Sequence, residues 1–195
     1  MRIWTIGHST RTIDKFISLL KENEIKLVAD VRMFPGSKRY PQFGREALAK
    51  SLGESGIRYE HLPELGGRRK AKTDSRNTAW RNASFRGYAD YMETEQFEKG
   101  IERLLNVAVQ GAAAWAAAEL KDDGWEAVTP WDIAIMCAEA VWWRCHRSLI
   151  SDYLKARGIE VLHILDANKV EPHPYTSAAR IVNGKLSYEA ESSLL

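Results

Sequence analysis

The feature that most constrains this chain is a strict alternation of short apolar runs with longer amphipathic stretches. Residues 2–8, 25–31, 57–62, 133–137 and 159–165 are the runs. Each is too short for a buried helix, and several are rich in Ile and Val, so they read as strands. Between them, apolar residues recur at helical spacing. Ile13, Phe16, Ile17 and Leu20 follow Thr12, which is placed to cap a helix. Residues 45–52, 84–92, 95–109 and 146–157 read as further helices, with Phe97, Ile101, Leu104, Leu105 and Ala108 on one face of the third. Strands alternating with helices predict an α/β fold, a mostly parallel Rossmann-like sheet flanked by helices. Asn183-Gly184 between two short extended pieces adds a small C-terminal β-hairpin.

Length and composition fit one α/β domain over 1–195. The chain has 195 residues, 45% hydrophobic and 28% charged, which is enough apolar surface to offset chain entropy. No apolar run reaches the roughly 18 residues of a membrane span, and no signal-peptide pattern opens the chain. A soluble cytoplasmic protein with no membrane partner is expected. With Lys+Arg 28 against Asp+Glu 26 the net charge is +2, so overall charge demands no polyanionic partner. Two cysteines, Cys137 and Cys145, are too few for a disulfide framework. Residues 111–130 are Ala-rich and helix-prone, with Gly124 and Pro130 marking an exit, and read as an insertion.

In open α/β sheets, ligands bind beyond the carboxyl ends of the strands. Four such edges carry reactive side chains: Gly7-His8-Ser9, Asp30-Val31-Arg32, Glu64-Leu65-Gly66-Gly67 and Cys137-Ala138-Glu139. A following loop delivers Cys145-His146-Arg147 to a helix start. A thiol at a helix N-terminus beside cations is biased toward thiolate. The same helix end is a ready anion site, with Arg147 and Arg32 as clamps. The competing reading packs Cys145 as a small hydrophobe. Cys137, at the end of the most apolar strand, reads as buried and inert. His8 and His146 are acid/base candidates, and Glu139 is a base or an ion-pair partner. Ser9, Asp30, Glu64, Gly66 and Gly67 complete the expected ligand set, the glycines because a backbone without Cβ permits close approach. The spacing excludes a C-x5-R phosphate cradle, because Arg144 is one residue too far from Cys137 and Ser151 occupies that position after Cys145.

Between Arg68 and Arg86 seven cations face one acid, Asp74, with Trp80 and Phe85 interleaved. Arg68, Arg69, Lys70, Arg81 and Arg86 are the candidates for nucleic-acid contact, since cations and aromatics together suit phosphates and bases. A solvated loop is the plainer alternative. Trp142-Trp143 could stack a planar ligand or cap a core edge. No pair among His8, His61, Cys137, Cys145 and His146 has diagnostic ligand spacing, so no metal is expected, and nothing in the sequence names a cofactor.

Ordered motifs recur end to end: T-I-G-H-S at 5–9, D-V-R at 30–32, P-Q-F at 41–43, H-L-P-E-L-G-G at 61–67, W-R-N-A-S-F-R-G-Y-A-D-Y-M at 80–92, C-A-E at 137–139, C-H-R at 145–147 and P-H at 172–173. On these the chain resembles the bacterial and archaeal domain-of-unknown-function family 488. The resemblance implies an α/β fold and one pocket; it implies no reaction. Residues 111–131 depart from the family pattern. The expectation is an enzyme-like pocket for a small anionic or phosphorylated ligand, with Cys145 as nucleophile or redox thiol. The alternative is a non-catalytic nucleic-acid or nucleotide module using 68–86.

Overall fold

A computed structural model of the chain describes residues 1–36, 38–119 and 131–190, with the backbone alone for 112–119. Its elements run β1 (Arg2–Gly7), α1 (Ile13–Glu22), β2 (Leu27–Asp30), α2 (Arg45–Glu54), β3 (Arg58–His61), α3 (Ala83–Met92), α4 (Glu95–Glu119), β4 (Ile133–Cys137), α5 (Arg147–Ala156), β5 (Glu160–Asp166), β6 (Lys169–Pro172), β7 (Arg180–Val182) and β8 (Lys185–Ser187). The main sheet has the order β3-β2-β4-β1-β5-β6. β1 to β5 pair in parallel, and β6 returns antiparallel along β5. β7 and β8 form the expected hairpin, with Asn183 and Gly184 both at positive φ.

Period-two alternation sends successive strand residues to opposite faces. Ile3, Leu27, Ala29, Ile133 and Ile135 pack with Phe97, Ile101 and Leu104 of α4 and Leu149, Ile150 and Leu154 of α5. Trp4, Ile6, Val28, Ala134 and Met136 pack with Phe16, Leu19 and Leu20 of α1 and Leu48 and Leu52 of α2. β2 and β4 are buried along their whole length, as strands covered on both faces must be. Thr12 caps α1 by accepting from the Lys15 amide, and Asn82 caps α3 through Ser84 and Phe85.

The sheet order positions the site. β1 and β4 are neighbours, yet the chain leaves β1 for α1 on one face and β4 for α5 on the other. Their carboxyl ends therefore diverge into a crevice, the topological switch point of an open sheet.

Two details differ from the sequence reading. α4 runs unbroken through Gly111 to Glu119 because the alanines that follow propagate a helix at little cost. β6 was not anticipated, because Lys169-Val-Glu-Pro is short, polar and ends in proline. A turn with Asn168 at positive φ pairs it with β5. The exit signals at Gly124 and Pro130 lie outside the described residues. Among the described residues no helix is long and apolar enough to cross a membrane.

Candidate functional site

The loops after β1 and β4 are zipped together by backbone bonds from His8 to Cys137 (3.0 Å) and from Ser9 to Ala138 (2.9 Å). This approach requires Gly7. A Cβ there would fall 1.8 Å from the Glu139 carbonyl oxygen. Beyond this seam lies a cavity of about 1120 Å³. Buried Cys137, Cys145 and Tyr88 and half-buried His146 form its floor, with His8, Ser9 and Arg32 along one wall. Gly67, Arg68 and Phe85 border it from the following segments. Arg39, Arg144, Phe34 and Trp143 stand exposed at the mouth.

The floor is a compact thiol–imidazole cluster. Cys145 Sγ lies 3.6 Å and Cys137 Sγ 4.0 Å from His146 Nδ1. His146 Nε2 sits 3.1 Å from the Val31 carbonyl oxygen. A carbonyl only accepts, so Nε2 carries the proton and Nδ1 is left to accept one from a thiol. Gly67 keeps this ring in place, because a Cβ there would come within 2.9 Å of Nδ1. Arg147 donates from Nε to Cys145 Sγ at 3.4 Å and from a terminal nitrogen to the Glu139 carbonyl at 2.6 Å. Burial alone would push the Cys145 thiol up. The hydrogen bond with Cys137, the Arg147 charge and His146 outweigh it and hold Cys145 well below an ordinary thiol. The bond with Cys145 pushes Cys137 the other way, well above an ordinary thiol, and burial adds to this. The sulfur that ionises is therefore Cys145, at the N-terminus of α5, where the helix dipole also favours an anion.

His8 and Arg32 are fixed beside this cluster. Asp30 grips Arg32 through Nε at 2.9 Å and a terminal nitrogen at 2.6 Å, and both residues are buried. His8 stacks on Phe43 at 4.3 Å. Its Nδ1 donates to the Ser9 carbonyl, which leaves Nε2 to accept from Arg32 at 3.4 Å. Burial, with the Arg32 charge, pulls His8 down to about 4, so the ring is neutral near pH 7.

Several expected ligand groups are placed otherwise. Arg147 is 1% exposed, contacts the Cys145 sulfur and the Glu139 carbonyl, and does not line the cavity. Asp30 is fully buried in its pair with Arg32 and does not line the cavity. Glu64 turns away to Arg103 of α4 at 3.0 Å. Gly66 packs against Pro63 and Met33, where a Cβ would clash, and does not border the cavity.

Of the cations in the basic stretch, only Arg68 reaches the cavity. Arg69 lies over the Tyr91 ring, 3.5 Å from its centroid. Lys70, Arg81 and Arg86 do not line the cavity. Nor is the stretch a loose loop: buried Asp90 of α3 accepts from the Lys72 amide, Ser75 and Asn77.

Cys137 is buried as expected, yet it borders the cavity and shares His146 with Cys145. Spacing gave no hint of this, because C-x7-C brings two sulfurs together only once β4 and α5 are packed. The one sequence signal was position, since Cys137 ends a strand whose carboxyl edge was already suspected. The donor atoms of Cys137, Cys145 and His146 lie within 4.8 Å of one another. Soft donors of this kind suit a zinc-like ion. Three are one short of a closed tetrahedral set, however, and the Arg147 cation beside one sulfur opposes a divalent charge.

A family model for a domain of unknown function, DUF488, matches residues 12–124 and 121–154. The chain belongs to the DUF488 family. The two matched pieces overlap at 121–124, within the Ala-rich segment. No curated protein and no solved structure matches the chain. The functional reading of this DUF488 chain therefore rests on its site.

Proposed function

We propose that this chain is an enzyme that binds a small anionic, phosphate-bearing ligand in the crevice and attacks it through Cys145. The reading is carried by one observation. The Cys145 sulfur lies between the Arg147 Nε and the His146 Nδ1, on the floor of a large cavity at the start of α5. Cys145 is the nucleophile, and His146 Nδ1 takes and returns its proton. Arg147 stabilises the thiolate. Arg32, Arg39, Arg68 and Arg144 line the cavity and supply cationic charge for the ligand. Glu139 is the one acid among the described lining residues, exposed at the mouth, and orients the ligand or its leaving group. His8, neutral and held by two partners, shapes the wall.

The test is the pH dependence of alkylation at each cysteine, resolved by mass spectrometry, with and without inorganic phosphate. The expected result is Cys145 reacting well below the ordinary thiol range of about 8.5, with phosphate protecting it. If both thiols stay inert until the protein unfolds, the nucleophile reading falls.

A second reading has its own observation. Phe34 (68% exposed) and Trp143 (50% exposed) stand at the mouth beside Arg39, Arg68 and Arg144, with the Arg68 guanidinium over the Phe34 ring. Exposed rings among arginines are the elements of a nucleotide or single-strand platform. It predicts oligonucleotide binding that weakens steeply with salt. No binding at low salt would remove it.

A further inference from the structure

Cys137 has no part in the chemistry just described, yet it borders the same cavity as Cys145 and shares the same His146 nitrogen. The two sulfurs lie within 4.8 Å. A disulfide needs about 2.05 Å, and one χ1 rotation moves a sulfur by about 3 Å, a displacement of the same order as the gap. The pair is also asymmetric. Arg147 contacts the Cys145 sulfur directly, and its other bond goes to the Glu139 carbonyl. One thiol is thus built to attack and the other to stay protonated until needed.

We propose that Cys137 is the resolving thiol of Cys145, and that the centre reduces disulfides whose halves carry anionic groups. This rests on the reading of Cys145 as a nucleophile. In the first step the Cys145 thiolate attacks one sulfur of the substrate. The substrate S–S bond breaks, a mixed disulfide forms on Cys145, and the departing thiolate takes the proton held by His146. In the second step the Cys137 thiol passes its proton to His146 Nδ1 and its sulfur attacks Cys145 Sγ. The mixed disulfide breaks, and the second half leaves as a thiol after taking that proton. The protein is oxidised by two electrons to a Cys137–Cys145 disulfide, and the substrate is reduced to two thiols. Two equivalents of a small thiol return the protein to its dithiol by the reverse exchange. The anionic preference comes from Arg32, Arg39, Arg68 and Arg144 around the approach to the sulfurs.

The experiment mixes reduced full-length protein with oxidised glutathione at pH 7, quenches with an alkylating agent and reads intact mass. Wild type is expected to lose both labels and retain no adduct. Cys137→Ser and Cys137→Ala are expected to stop with one glutathione on Cys145, and Cys145→Ser to form no adduct. Circular dichroism confirms that each variant is folded. Uncharged bis(2-hydroxyethyl) disulfide should react at least about tenfold more slowly. Coenzyme A disulfide against oxidised glutathione then separates a phosphate preference from a carboxylate one. If wild type stops at the mixed disulfide as the Cys137 variants do, Cys137 does not resolve, while Cys145 remains a nucleophile. If Cys145 neither forms an adduct nor alkylates, both readings fall together. Zinc bound at one per chain and holding both thiols reduced would also overturn the proposal.

Discussion

Arg147 and Cys145 are two residues apart, and the turn that begins α5 puts the arginine Nε 3.4 Å from the sulfur. The guanidinium is 1% exposed, so its charge acts on the sulfur through little solvent. Replacing it with methionine keeps much of the volume and removes the charge. Alkylation of Cys145 at pH 7 should fall at least about tenfold, as its titration moves up by a unit or more. Lysine should restore this only in part, because one ammonium cannot hold both the sulfur and the Glu139 carbonyl. Iodoacetamide rates against pH check both variants, and an unchanged profile would remove Arg147 from the site.

Gly7 sets the seam on which that arrangement depends. An alanine would drive its Cβ into the Glu139 carbonyl, the same oxygen that Arg147 binds. Gly7→Ala should cost about 3 kcal/mol in urea unfolding and lower Cys145 reactivity as well. Gly53, within α2, has open space around it. Gly53→Ala should instead stabilise by about 0.5 kcal/mol and leave the thiol untouched.

The buried histidines give a signed pH dependence. Burial pushes His8 down to about 4, with the Arg32 and Arg147 charges adding and the Ser9 carbonyl and Asp30 opposing. Burial, His173 and Arg147 push His163 down as well. In the unfolded chain both rings take up protons below about 6.5. Between there and about 4 the unfolded state binds more protons, so stability is full above pH 6.5 and declines as pH falls through that window. Urea midpoints from pH 7.5 to 4.5 should show the decline. His8→Gln should make it shallower, and a slope identical to wild type would show that His8 does not contribute.

A one-way hydrogen-bond chain fastens the C-terminal segment. Asp152 accepts from His173 at 3.0 Å, Tyr188 at 2.9 Å and both the amide (2.9 Å) and hydroxyl (2.6 Å) of Thr176. His173 in turn accepts from His163 at 2.8 Å, and His163 from Thr5 at 2.7 Å. Asp152→Ala strands several buried donors and should cost about 3 kcal/mol. Hydrogen exchange over 173–188 should rise well before global unfolding. Uniform loosening of the whole chain would contradict this local role.

Much of the fold was legible before the structure, for a definite reason. Runs such as Ile133–Cys137 are apolar throughout, and the faces of α1 and α4 repeat at helical spacing, so burial itself writes the pattern. β6 escaped because Val170 lies on an edge strand that buries little. Within the site, Cys145, His146, His8 and Gly67 do converge on one cavity. Strand spacing already puts Asp30 and Arg32 on one side, whereas Arg147 reads as a ligand clamp because sequence shows a charge but not its partner. Glu64 shows the same, its pairing with Arg103 crossing 39 positions.

The sequence by itself determined the alternation of strand and helix, the helix cap at Thr12, and the edge of the sheet at which reactive residues gather. These depend on periodicity and local hydrogen bonding, which act over a few residues. Only the tertiary structure decided that Cys137 joins Cys145 at one imidazole, that Arg147 serves the sulfur and that Arg39 and Arg144 reach one mouth. Those facts follow from the strand order, which sets β4 beside β1 and sends their following helices to opposite faces. Contacts between residues far apart in the chain exist only after that packing is complete.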